Sequence, residues 1–173
     1  MSKAAGVLQM AKRKKTAKKV GGPFLAAAVF CESVVEDASK KISAINILDG
    51  VQMWLAEDAP ADIPSKSKPI TVIQNVLIIF RTGDASGKHE LRLVIQQPDG
   101  KRSEALKQQI ELTTQSYGGC NIKTQATLRI FSSGVYWIDV ILNGTRFTRM
   151  PINVLIKRLP SMTADNSKGN SKK

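Results

Sequence analysis

The sequence holds a single histidine, His89, and two cysteines, Cys31 and Cys120. A Ser–His–Asp arrangement would have to use that one histidine. It stands between Lys88 and Glu90 at the start of an alternating pattern, where the spacing supplies no poised partner. It reads as an exposed strand-edge residue. The cysteines are too few for a disulfide-dense secreted scaffold and too far apart for a C-x-x-C metal site. One bridge is arithmetically open; two separate buried thiols are the simpler reading. There is no G-x-x-x-x-G-K-[ST], no strand-linked G-x-G-x-x-G and no G-x-S-x-G. Glu36/Asp37 and Glu57/Asp58/Asp62 cluster without the loop pattern of a calcium site. These absences lead to the expectation of a protein that is not an enzyme and uses no cofactor or metal.

Long apolar runs are also missing. None reaches the roughly 18 residues of a membrane span. The run from Pro23 to Cys31 follows a basic stretch and raises the question of a signal peptide. It is short for that purpose, and Phe30 sits where a lipoprotein cleavage site wants a small residue. Glu32, Glu36 and Asp37 follow. A first core strand is the better reading, and with it a cytoplasmic location, or a virion if the chain is phage-encoded.

Positive charge is present in excess. The formal net charge of the 173 residues is +12, and 42% of them are hydrophobic. Residues 1–22 hold seven net positive charges, 161–173 hold two, and 23–160 keep the remaining three. The chain therefore divides into a basic flexible arm (1–22), a domain (23–160) and a disordered polar tail (161–173). Lys12, Arg13, Lys14, Lys15, Lys18 and Lys19 form the one charged feature with reach, able to neutralise phosphates without reading sequence. No aromatic residue interrupts them to stack on a base.

Within 23–160 the pattern is of short β-type runs with turn signals about every ten residues and no helical period. Phe24 to Val35 opens it. Lys41–Leu48 and Val51–Leu55 flank Asp49-Gly50 and read as a hairpin. Residues 56–69, with Pro60 and Pro64, read as a loop closing at Pro69. Ile70–Phe80 is apolar nearly throughout and predicts a central strand covered on both faces. His89–Gln97 alternates and ends at Pro98-Asp99-Gly100. Residues 101–118 read as a loop carrying a strand around Gln109–Thr113. Asn121–Phe131 alternates cleanly, with Ile122, Thr124, Ala126, Leu128 and Ile130 inward. Tyr136, Ile138, Val140 and Leu142 alternate with Trp137, Asp139 and Ile141 before Asn143-Gly144, a type I′ turn pair. Thr145 to Met150 returns, Pro151 marks a kink or an edge, and Ile152, Val154 and Ile156 complete a separate last strand. The expectation is all-β: an antiparallel, immunoglobulin-like β-sandwich of about seven or eight strands with disordered termini.

The stretch from Gly134-Val-Tyr136 through the Asn143-Gly144 turn to Pro151-Ile152-Asn-Val154 resembles the C-terminal part of the DUF6941-type family of bacterial and phage proteins. The opening Phe24 to Glu32, then Lys41 to Gly50, and the middle Leu91 to Gly100 are similar to that family's start and centre. The likeness covers about 130 residues. It implies the fold and supplies no activity or site.

The function read from these features is a non-enzymatic binding or assembly module, including a structural component of a larger, phage-type assembly. The arm would add electrostatic attachment. Its partner would be a protein or a second copy of the chain, with Trp137, Lys123 and Arg129 as interface residues; Trp137 is core if a second sheet covers it and an anchor if exposed. The alternative is a nucleic-acid-associated protein gripping phosphates through residues 12–19.

Overall fold

The computed structural model describes residues 21–113 and 119–160. Those residues contain nine strands and no helix: β1 (Phe24–Glu36), β2 (Ile42–Leu48), β3 (Gly50–Leu55), β4 (Ile70–Arg81), β5 (Gly87–Gln96), β6 (Arg102–Leu112), β7 (Gly119–Ile130), β8 (Gly134–Leu142) and β9 (Thr145–Arg158). A four-stranded sheet has the order β2-β1-β4-β7, and a five-stranded sheet the order β3-β9-β8-β5-β6. With no helix among the described residues, none there is long and apolar enough to cross a membrane.

The two sheets share one core. Phe30, Val76, Ile78, Phe80, Ala126 and Leu128 come from the first; Leu91, Leu93, Tyr136, Ile138, Ile152 and Val154 come from the second. The period-2 alternation of β7 and β8 builds it directly. Ile122, Ala126, Leu128 and Ile130 are buried, while Lys123, Gln125, Thr127 and Arg129 are exposed. Strand β4 lies inside its sheet, between β1 and β7. Only part of it is covered on both faces: Val76 to Ile78 are buried, whereas Ile73 is 63% exposed.

Three local readings need correction. Asp49-Gly50 does not close a hairpin. β2 pairs with β1, while β3 joins the other sheet and runs parallel to β9, the one parallel pair among the described residues. A type I′ turn needs positive φ at both central residues, and neither Asp49 nor Gly50 has it. The glycine is required by closeness instead, because a Cβ on Gly50 would stand 2.8 Å from the backbone oxygen of Asn153. Residues 102–112 are strand throughout, paired with β5 from end to end. A bulge at Ala105, between the Leu93–Leu106 and Val94–Glu104 pairs, breaks the alternation that would have revealed them. Finally, β9 is one strand, not two. Its pairing with β3 begins only at Asn153, so Pro151 lies on a free edge and its missing N–H interrupts no ladder.

Asn143-Gly144 does turn β8 into β9, with φ of 48° and 78°. Asn143 Oδ1 accepts from the Glu90 N–H at 2.8 Å, which fixes the amide so that Nδ2 donates to His89 Nδ1 at 2.8 Å. His89 Nε2 therefore carries the proton it shares with the Ser86 carbonyl at 3.3 Å. The lone histidine is thus a clasp between β5 and the turn. Asn143→Ala is expected to lower stability by about 1 kcal/mol, since it loses these bonds and tolerates positive φ poorly. Asn143→Gly should keep the turn and lose less; chemical denaturation of the two variants measures the difference.

Candidate functional site

Alternation gives each sheet one face for the core and one for solvent. On the outer face of the five-stranded sheet, β8 places Asp139 among strands that bring arginines from both sides. The Asp139 carboxylate is only 1% exposed. Arg149 grips it with two bonds, Nε to Oδ1 at 2.7 Å and Nη2 to Oδ2 at 3.1 Å. Arg102 bonds Oδ2 from β6, and Arg146 Nη1 stands 3.8 Å from Oδ1. Gln96 accepts a further N–H of Arg149 at 3.1 Å. The Arg149 hydrogen bond leads in holding the Asp139 carboxyl below the usual carboxylate range; burial opposes it, and the three positive charges reinforce it. One ionised carboxylate thus orders three guanidinium groups and leaves a local surplus of two positive charges.

The same face carries both tryptophans of the chain. Trp137 is 37% and Trp54 52% exposed. Each has a cation over its ring: Arg149 at 5.8 Å from the Trp137 centroid, Lys157 at 5.1 Å from that of Trp54. Pro151 pairs with Trp137 and Lys157 with Trp54, so six residues of β9 separate the rings along the strand direction. At about 3.3 Å per residue, and with β9 between β3 and β8, the rings lie on the order of 22 Å apart. Val135 and Leu155, both 41% exposed, lie between them. Lys88, Arg92, Arg102, Lys107, Arg146, Arg149 and Lys157 share this face with Glu90, Glu104, Glu111 and Asp139. Seven cations against four carboxylates equal the whole net charge of residues 23–160.

The expected interface residues do not form one surface. Trp137 belongs to the five-stranded sheet, where it is partly exposed and lies outside the core. Lys123 and Arg129 project from β7 on the outer face of the other sheet, and Lys123 is held by Glu36 at 2.5 Å. That opposite face is apolar at Val35, Ile45, Ile47 and Ile73, which are 42–64% exposed. The arm residues Lys12, Arg13, Lys14, Lys15, Lys18 and Lys19 lie outside the described residues. Cys31 and Cys120 are unpaired thiols on strands separated by β4, and burial pushes both thiol pKa values up. Among the described residues, no three of His, Cys, Asp and Glu gather into a metal site.

Sequence reasoning missed Asp139 with its arginines, and Trp54 with Lys157. The available signal was Asp139 itself, one acid in an outward register beside Trp137 and Ile141. Its partner could not be counted from the turn. From Asn143-Gly144 the ladder runs Leu142–Thr145 and Ile141–Arg146, then shifts by one at Phe147, so that Asp139 meets Arg149 rather than Thr148.

A model of a family of unknown function, DUF6941, matches residues 26–155. No curated protein matches the chain. Among solved structures there is similarity to the Pseudomonas fluorescens alkylpurine DNA glycosylase AlkC bound to DNA containing an abasic site analog, at 12% identity and a TM-score of 0.37. The match covers 49% of this chain and 26% of that one, so the chain spans about a quarter of the glycosylase's length.

Proposed function

The chain belongs to the DUF6941 family of unknown function, and from that premise we propose a non-enzymatic binding module whose partner surface is the outer face of the five-stranded sheet. The partner is anionic. One observation carries this reading: both tryptophans are exposed on that face, beneath cations, beside three arginines that share a single buried carboxylate. Tryptophan and arginine are the residues that most often anchor interfaces. The basic arm, Lys12 to Lys19, adds long-range attraction for the same partner. Assembly into a larger structure, of phage type or otherwise, is supported by the apolar outer face of the four-stranded sheet.

We read the two sheets as an immunoglobulin-like sandwich. Their shared core supports this, and so does Tyr136, fully buried on β8. Its hydroxyl accepts from the Phe131 N–H at 3.0 Å and donates to the Ser132 carbonyl at 3.1 Å. A tyrosine bonded to backbone a few residues upstream is a feature of that fold.

Charge reversal tests the surface. Arg146→Glu with Lys157→Glu takes the face from three net positive charges to one net negative. It leaves Asp139 with Arg102 and Arg149. The double variant is expected to elute from immobilised heparin at clearly lower salt than the unmodified protein. Lys41→Glu with Arg129→Glu changes the total charge equally but lies away from the face, and should elute close to the unmodified protein. Equal loss in both pairs would mean that net charge alone is read, and the surface assignment would fall.

A further inference from the structure

Resting on that assignment of the face, we propose that its occupant is a single-stranded nucleic acid, with bases stacked at Trp54 and Trp137 and phosphates held by Arg102, Arg146 and Arg149. Each guanidinium has five N–H donors. Arg102 and Arg146 are half exposed, at 50% and 55%, and each meets Asp139 through one terminal nitrogen. Arg102 hydrogen-bonds the buried carboxylate and Arg146 only ion-pairs with it, so N–H donors of both remain for a further acceptor. That is the geometry suited to a phosphate oxygen, which guanidinium forks bind with two parallel bonds.

The tryptophans decide between polyanions. An acidic polypeptide would neutralise the arginines and leave the rings without flat partners. A duplex would offer phosphates but keep its π-faces stacked inside. A single strand brings one phosphate and one unstacked base per nucleotide, and open sheet faces bearing aromatic rings take bases in this way. Lys157 and Arg149 each lie over a face of one ring, so a base that stacks on that face displaces the cation, which then stands within reach of the same nucleotide's phosphate. The separation of about 22 Å between the rings corresponds to a site of several nucleotides, as on other sheet-based single-strand binders.

Because the chain has only these two tryptophans, its intrinsic fluorescence reports the face directly. The full chain is titrated with a twelve-nucleotide thymidine DNA, the matching uridine RNA, a DNA duplex of equal length and polyglutamate. The expected result is quenching by the single strands at low salt, with weaker affinity for the duplex. Trp137→Leu and Trp54→Leu should each weaken single-strand binding, measured by anisotropy of a labelled oligonucleotide, by about ten- to a hundredfold. Thermal unfolding of both variants checks that these exposed substitutions leave the fold in place. Replacing the six arm cations by glutamine should reduce affinity while keeping the quench. If polyglutamate quenches and the single strands do not, the proposal is overturned although the face still binds an anion. If the duplex binds as tightly as the single strands and neither tryptophan matters, the proposal is likewise overturned. If no polyanion changes the emission, both the proposal and the assignment of the face are overturned.

Discussion

Asp139→Ala is expected to lower the unfolding free energy by about 3 kcal/mol at neutral pH, measured by urea denaturation. Removing one member of a buried ion pair strands its partners, at a cost of roughly 3–5 kcal/mol. Here the arginines are a third to a half exposed, at 32–55%, and water recovers part of that. The low end of the range therefore applies. The loss is not one hydrogen bond. Arg102, Arg146 and Arg149 come from β6 and β9 and meet only through this carboxylate. Without it, three like charges from β6 and β9 are left around the vacated position on β8, with no carboxylate between them.

The pH dependence follows from the direction of the shift. Asp139 titrates lower in the folded protein than in the unfolded chain, because Arg149 and its neighbours favour the charged form. Its contribution is therefore complete above the ordinary carboxylate pKa and is lost as pH falls through the lowered folded value. The gap between the unmodified protein and Asp139→Asn should accordingly narrow as pH is taken below about 4. Glu36, held chiefly by Lys123, shifts the same way on the open surface and adds a smaller background in both proteins. Asp139→Asn should also bind polyanions more tightly at low salt while being less stable, because it adds one net positive charge to the face. A variant that loses stability and anion binding together would indicate that the carboxylate's ordering of the arginines outweighs its charge.

The core was readable wherever alternation ran unbroken. β7 shows the expected pattern residue by residue because it has one buried and one solvated face, and β8 keeps its inward set of Tyr136, Ile138, Val140 and Leu142 while its outward Asp139 is covered by arginines. What the sequence hid sits at the irregularities. The bulges at Ala105 and Phe147 each insert one residue, and each displaces an arginine from the partner that simple counting would assign. The Asp139 cluster depends on both shifts, since Arg102 lies beyond the first and Arg149 beyond the second. Trp54 was hidden differently. Val51 to Leu55 was recognised as a strand, but its partner, β9, lies about 100 residues on in sequence. Local pattern carries no information about such pairing. Bulk charge was legible and its arrangement was not: three net charges on residues 23–160 suggested a nearly neutral domain, yet seven cations stand on one face of it.

The Asp49-Gly50 step gives the second large effect. Gly50→Val is expected to cost about 3 kcal/mol, at the upper end for forcing bulk into a packed site. Its Cβ would stand 2.8 Å from the Asn153 backbone oxygen, and that backbone cannot yield easily, because the Asn153 N–H is bonded to the Asp49 carbonyl at 3.0 Å. Strand β3 must then move off the β9 edge. The loss should be local in its functional consequence. Trp54 reaches Lys157 only because Gly50 to Leu55 pair with Asn153 to Arg158. Trp137, on the far side of β9, keeps Arg149 through β8. With Trp137→Leu as background, the remaining Trp54 emission should become more exposed and more accessible to iodide when Gly50→Val is added. Gly21→Ala, where a Cβ meets nothing within 4 Å, should change neither stability nor emission. If Gly50→Val were as stable as the unmodified protein, the close approach of β3 to β9 within the five-stranded sheet would be wrong. A glycine that reads as a turn signal would then have that role after all, rather than admitting the strand that carries half of the aromatic face.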